Sequence, residues 1–244
     1  MKQFNKGLRI TMPLAMFAGL VIATGSAGAA TIAHVGNDID WGADFTDLSG
    51  SVGDLDGDGI VGTDGFYFPG TDSGNVLSAA SYITNFSATT SNVSLNFYPN
   101  FVDPNGVTRR AGTTNPNPAN VLFSFEFTSD VPTTVGLSIF LDAIDVSGWS
   151  ADQVTINVTG DSITYNSPSD NGDNPGGQLA AFADLLHFQI TGAEAGDVVQ
   201  VFSIAAENGS QATVQGFALE SIPEPSSSAL LALGGLALIF RRRK

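Results

Sequence analysis

The sequence predicts an all-β protein whose body is a single antiparallel β-sandwich or jelly roll. Two observations carry that class. Short runs alternate apolar and polar residues with a period of two, and Gly, Asn, Asp and Pro stand between the runs. A third observation sets the domain count. Between two distinctive termini lie 193 residues, 30–222, enough to bury one sizeable core. The chain has no cysteine, so an exported body of this kind is held by its core and not by disulfides.

The N-terminus begins with Lys2, Lys6 and Arg9, followed by an apolar stretch from Met12 to Ala23. Ala27-Gly28-Ala29 places small residues at −3 and −1 of a cut before Ala30. Residues 1–29 therefore read as a secretory signal peptide removed by signal peptidase.

Along the body, Gly62 to Gly70 reads as strand and turn. β-rich runs follow at 75–84 and 92–98. Val121, Phe123, Phe125 and Phe127 point one way, with Leu122, Ser124, Glu126 and Thr128 opposite. Val135, Leu137, Ile139 and Leu141 repeat the pattern, as do Val154, Ile156 and Val158. A run at 161–165 precedes Leu186, Phe188 and Ile190, which alternate with His187, Gln189 and Thr191. Runs at 198–205 and 212–221 complete the set. Gln178 to Leu186 is the one segment with helix-forming composition, through Ala180, Ala181 and Ala183. Two long polar stretches, 103–120 and 166–177, read as loops.

Charge narrows the partners. Residues 30–222 hold 23 of the 24 acids and only Arg109 and Arg110 among the nine bases, a net of −21. Nucleic acid is excluded, because phosphate neutralisation needs clustered Lys and Arg. Cations, basic partners and neutral glycans remain.

Asp54, Asp56 and Asp58 alternate with Leu55 and Gly57, and Gly59 takes the sixth place. The pattern resembles the front half of an EF-hand or dockerin calcium loop. That resemblance implies Ca²⁺ held by Asp54, Asp56, Asp58 and the carbonyl of Ile60, with Val61 in the usual hydrophobic place. The match breaks at the twelfth position, where Gly65 replaces the bidentate acid and Asp64 stands one place early. An acidic turn between strands gives the same residues without an ion. Trp41, Trp149, Tyr82 and Tyr98 are candidates for stacking on sugar rings, against the alternative that they pack in the core.

Catalytic residues are scarce. Beyond Ala29 the chain has two histidines, His34 and His187, and before the C-terminal Lys244 no lysine. Any Ser-His-Asp arrangement must use one of those histidines, and His187 is expected to be solvated on the polar face of its strand. Neither G-x-S-x-G, nor H-E-x-x-H, nor a phosphate loop occurs. The body is expected to be non-enzymatic.

The C-terminus orders three features. Pro223-Glu224-Pro225 holds the chain extended. After Ser226-Ser227-Ser228, twelve apolar residues run from Ala229 to Phe240, short of a full membrane span. Arg241, Arg242, Arg243 and Lys244 close the chain and favour the cytoplasmic side. This motif, span and basic end resemble the PEP-CTERM sorting signal of Gram-negative bacteria. The resemblance implies transient membrane insertion of 223–244, processing by an exosortase, and delivery to the cell surface or extracellular matrix. The two terminal signals and the scarcity of catalytic residues lead to a structural surface or matrix protein as the first expectation; the candidate aromatics and the acidic loop lead to a calcium-assisted glycan-binding module on extracellular polysaccharide as the second, with a secreted hydrolase last.

Overall fold

A computed structural model describes residues 29–41, 44–71, 74–89, 94–113, 121–142, 153–166, 183–204 and 214–222. The segments 1–28 and 223–244, where the signal peptide and the sorting tail are expected, lie outside the described residues. The described part is all-β, as the alternation predicts.

In chain order the strands are β1 (Thr31–Trp41), β2 (Gly65–Thr71), β3 (Gly74–Ser78), β4 (Ile83–Ala88), β5 (Ser94–Val102), β6 (Thr108–Thr113) and β7 (Val121–Phe127). They continue as β8 (Thr134–Asp142), β9 (Gln153–Val158), β10 (Asp161–Asn166), β11 (Ala183–Thr191), β12 (Val198–Ile204) and β13 (Val214–Ser221). One sheet runs β1-β11-β8-β13-β2-β3 and the facing sheet β10-β9-β12-β7-β4. All their pairings are antiparallel.

Between the sheets lies the main core. Val135, Leu137, Ile139 and Leu141 of β8 and Phe217 and Leu219 of β13 meet Phe123, Phe125 and Phe127 of β7 and Val199 and Val201 of β12. The six-stranded sheet is also covered on its other face. Phe45, Leu48 and Val61, from the crossing between β1 and β2, pack with Phe101 against Phe140, Leu185 and Ala218. Phe45, Phe68 and Phe140 meet edge to face, with Phe45–Phe140 centroids 5.6 Å apart. The central strands of this sheet are thus buried on both faces, which period-two reading cannot distinguish from one buried face.

Three expectations are corrected. The stretch 103–120 is not wholly a loop, because Thr108–Thr113 forms β6 and pairs with β5. Asp103 builds the turn between them: it is fully buried, and Oδ1 accepts the Asn105 and Val107 N–H groups, each at 2.9 Å. Its Oδ2 pairs with the Arg109 Nε–H. The run 75–84 is broken by a turn into β3 and β4. The helix expected over 178–186 is a strand from Ala183 onward, where pairing with both β1 and β8 overrides alanine propensity; residues 178–182 lie outside the described residues.

Register places both ends of the body at one pole. Thr31 pairs with Thr191, Thr191 with Thr134, and Val135 with Ser221. The first residue of β1 and the last of β13 therefore sit at the same end of the sheet.

Candidate functional site

The acidic segment folds as a chain of side-chain-capped turns. Asp54 accepts the Gly57 N–H on Oδ1 (2.8 Å) and the Gly59 N–H on Oδ2 (3.0 Å). Asp56 Oδ1 accepts from Asp58 (3.0 Å), and Asp58 Oδ1 from Ile60 (2.8 Å). Gly59 adopts φ +87°, the left-handed conformation that its place in the turn requires. The result gathers one oxygen from each of Asp54, Asp56 and Asp58 within 4.8 Å of one another. Burial, then the charges of Asp58, Asp54 and Asp64, raises the Asp56 carboxyl above its ordinary pKa, against the Asp58 N–H bond. Asp64 is turned elsewhere: its Oδ2 accepts the Tyr82 hydroxyl at 2.9 Å.

Sequence reading missed the residue that fixes this loop. Glu220 of β13 is 2% exposed. Its Oε1 accepts the N–H groups of Leu55 (2.8 Å) and Asp56 (3.3 Å), and its Oε2 that of Gly62 (2.9 Å). Burial outweighs these three bonds and pushes the carboxyl up to about 7. No local motif signals the role, because partner and loop lie more than 150 positions apart.

Chemically, the trio supplies three carboxylates to a hard cation, and Asp56 Oδ2 and Asp58 Oδ2 accept no hydrogen bond among the described residues. Ca²⁺ takes six to eight oxygens, so this partial set fits a site completed by carbonyl and water oxygens.

His187 is not solvated. It is 1% exposed on β11, on the face covered by the β1–β2 crossing. Nε2 lies 2.7 Å from Asp38 Oδ2, and Nδ1 lies 2.7 Å from the Ser138 hydroxyl. The Ser51 hydroxyl donates to Asp38 at 2.5 Å and accepts the Gly53 N–H at 3.1 Å. Gly53 roofs the ring, since a Cβ there would stand 2.2 Å from Nδ1. Burial raises the Asp38 carboxyl, but hydrogen bonds from His187 and Ser51 and the His187 charge outweigh it and leave it below its usual value. The residue types of a Ser-His-Asp arrangement meet here, yet both ring nitrogens are engaged and Ser138 is only 3% exposed. As built, the cluster ties the start of the acidic loop to the sheet.

The aromatic candidates separate. Tyr82 is 4% exposed and packs near Phe127, so it presents no face to a sugar. Trp149 lies outside the described residues, as do the side chains of Trp41 and Tyr98. One aromatic not anticipated is Tyr165 of β10, half-buried and stacked on His34 at 4.2 Å. With the Asn37 amide donating to its hydroxyl (2.6 Å), it closes the seam between β1 and β10.

Among the described residues no helix is long and apolar enough to cross a membrane. The last described residue, Ile222, is 47% exposed and directly precedes Pro223. Residues 221–244 match the family model described as the PEP-CTERM protein-sorting motif. Neither curated proteins nor solved structures give a match. The motif implies export and membrane-anchored sorting with processing by an exosortase.

Proposed function

We propose that this chain is a non-enzymatic structural protein of the cell surface or extracellular matrix. The observation that carries the reading is the sorting motif at 221–244, directly continuous with the last strand of an acidic β-sandwich. A body of net charge −21 repels its copies and anionic lipid, and suits a hydrated matrix rich in cations. The test follows the chain in its native host. Deleting 223–244 is expected to move it from the surface or matrix fraction to the periplasm. An unchanged distribution would overturn the reading, and so would turnover of chromogenic glycosides or esters by the purified body.

A second reading is favoured by the gathered carboxylates of Asp54, Asp56 and Asp58. In it the body binds extracellular polysaccharide with Ca²⁺ in the loop and Trp41, Trp149 or Tyr98 as stacking residues. Trp149→Ala is then expected to weaken retention on a column of the host polysaccharide. A ligand at about 100 times its Kd stabilises a fold by about 2.7 kcal/mol, so Ca²⁺ is expected to raise the melting midpoint by several degrees. Identical melts would remove calcium from this reading.

A further inference from the structure

We propose that the open face of the five-stranded sheet binds a neutral, extended polysaccharide, laid across the strands over Ser162, Asn157, Gln200, Ser124 and Ser87. The proposal rests on the glycan-binding reading and gives that reading its site.

The two sheets differ in what covers them. The second core lies over the outer face of the six-stranded sheet. The five-stranded sheet turns Phe125, Ile156 and Val201 into the main core, so the residues between them on each strand point away from it. Those residues meet water. Ser162 and Ser87 are exposed, and Asn157, Gln200 and Ser124 are half-exposed.

Register lines the five up. Ser162 of β10 pairs with Asn157 of β9, and Asn157 with Gln200 of β12. Gln200 pairs with Ser124 of β7, and Ser124 with Ser87 of β4. A neutral hydrogen-bonding side chain therefore stands on every strand from one edge of the sheet to the other. Neighbouring strands lie about 4.8 Å apart, so the row is roughly 19 Å long. That step is close to the advance per ring of an extended pyranose chain, which sets one sugar over each strand. The side chains are also available. Among the described residues none of the five is held by a side-chain hydrogen bond, whereas Thr155 and Thr164 in the next row bond each other at 2.9 Å. Asn and Gln amides and Ser hydroxyls both donate and accept, as sugar hydroxyls do. Beside the row Phe202 of β12, half-buried, offers a ring to the apolar side of a sugar.

Charge selects the ligand. Residues 30–222 carry 23 acids and two arginines, yet Glu126 is the one charged residue at an outward position of these strands among the described residues. Its Oε2 accepts from the Asn85 amide at 2.8 Å, at the β4 edge. Covering a carboxylate with a sugar ring strips its water at a cost, and the row escapes that cost. An anionic polymer is repelled by the rest of the body, and a basic partner finds no charge on the row to pair with. A neutral polymer fits.

The experiment titrates the full chain, in mild detergent, with soluble cello-oligosaccharides of increasing length, followed by calorimetry. Affinity is expected to rise with each added ring up to about five, one per strand, and then level off. It is expected to stay constant as NaCl is raised, because no charge pair forms. The double variant Asn157→Ala with Gln200→Ala removes two hydrogen-bonding groups from the middle of the row and is expected to bind about ten-fold more weakly. Gln200→Lys, which keeps an exposed side chain of similar length, is the second variant and is expected to lose as much. Variants that bind as the parent does would overturn the site while leaving glycan binding in place, and a loss on Trp149→Ala would then put the sugar elsewhere. A parent that binds no cello-oligosaccharide and is not retarded in hydroxyethylcellulose or dextran gels would overturn both. A parent that sediments as a dimer, broken by the double variant, would put a second copy on this face and overturn the proposal.

Discussion

Gly53 and Gln215 show opposite uses of a buried position. At Gly53 the absence of a side chain is what lets the loop close over His187, and a methyl group would meet the ring nitrogen at 2.2 Å. The ring cannot retreat, since Asp38 and Ser138 hold both its nitrogens. Overpacking of this kind costs typically 1–3 kcal/mol, so Gly53→Ala is expected to lower stability by about 2 kcal/mol in urea denaturation. A variant as stable as the parent would mean that the loop does not rest on His187. Gln215 is fully buried in β13, and its amide oxygen and nitrogen have no partner among the described residues; the Tyr67 hydroxyl is similarly placed. An unpaired buried polar group costs about 1–3 kcal/mol. Gln215→Met, close in volume, is expected to raise stability by about 1 kcal/mol. A fall would reveal a bound water that the amide serves. None of this was legible in the sequence. His187 alternates with Leu186 and Phe188 as a solvated residue would, and only the second layer over the sheet makes it a buried one.

Among the elements, the strands with strict alternation were legible: β7, β8 and β9, and β11 from Leu186 onward, follow from apolar residues two apart, while the start of β11 was hidden by its alanines. Those that escaped have a common cause. β1 carries Gly36, Asn37 and Asp38, which read as turn chemistry, and its pairing with β11 shifts register between His34 and Gly36. β6, with the sequence Thr-Arg-Arg-Ala-Gly-Thr, lacks an apolar face and forms because Asp103 sets the preceding turn. The acidic loop was legible as a candidate calcium loop, while the anchor beneath it was not. Glu220 offers two acceptor oxygens to three N–H groups. Glu220→Gln replaces one acceptor with a donor that faces an amide N–H, leaving buried donors unpaired. The expected loss is about 1–3 kcal/mol, with faster hydrogen exchange at Leu55, Asp56 and Gly62. Exchange unchanged at these three amides would show that the local turns alone hold the loop.

At the scale of the whole molecule, charge is the least balanced quantity. The 23 acids of residues 30–222 face two arginines, and Arg109 is already paired with buried Asp103. The remaining carboxylates have almost no opposite charge inside the body, so they repel one another across the surface. That repulsion is screened as the Debye length falls from about 30 Å at 0.01 M salt to about 3 Å at 1 M. The unfolded chain spreads the same charges over a larger volume and gains less from screening. NaCl is therefore expected to raise the melting midpoint by roughly 5 °C across that range, corresponding to about 1–2 kcal/mol for a domain of this size. A midpoint that stays flat would mean that the carboxylates stand too far apart to matter. The same titration separates general screening from a specific ion. Magnesium and sodium at matched ionic strength are expected to act nearly alike, because Mg²⁺ gives up its water reluctantly and a loop of turns offers it no octahedral cage. Any rise with calcium beyond that common curve belongs to Asp54, Asp56 and Asp58. If Asp56→Asn and Asp58→Asn leave the extra rise intact, calcium is acting elsewhere on the acidic surface.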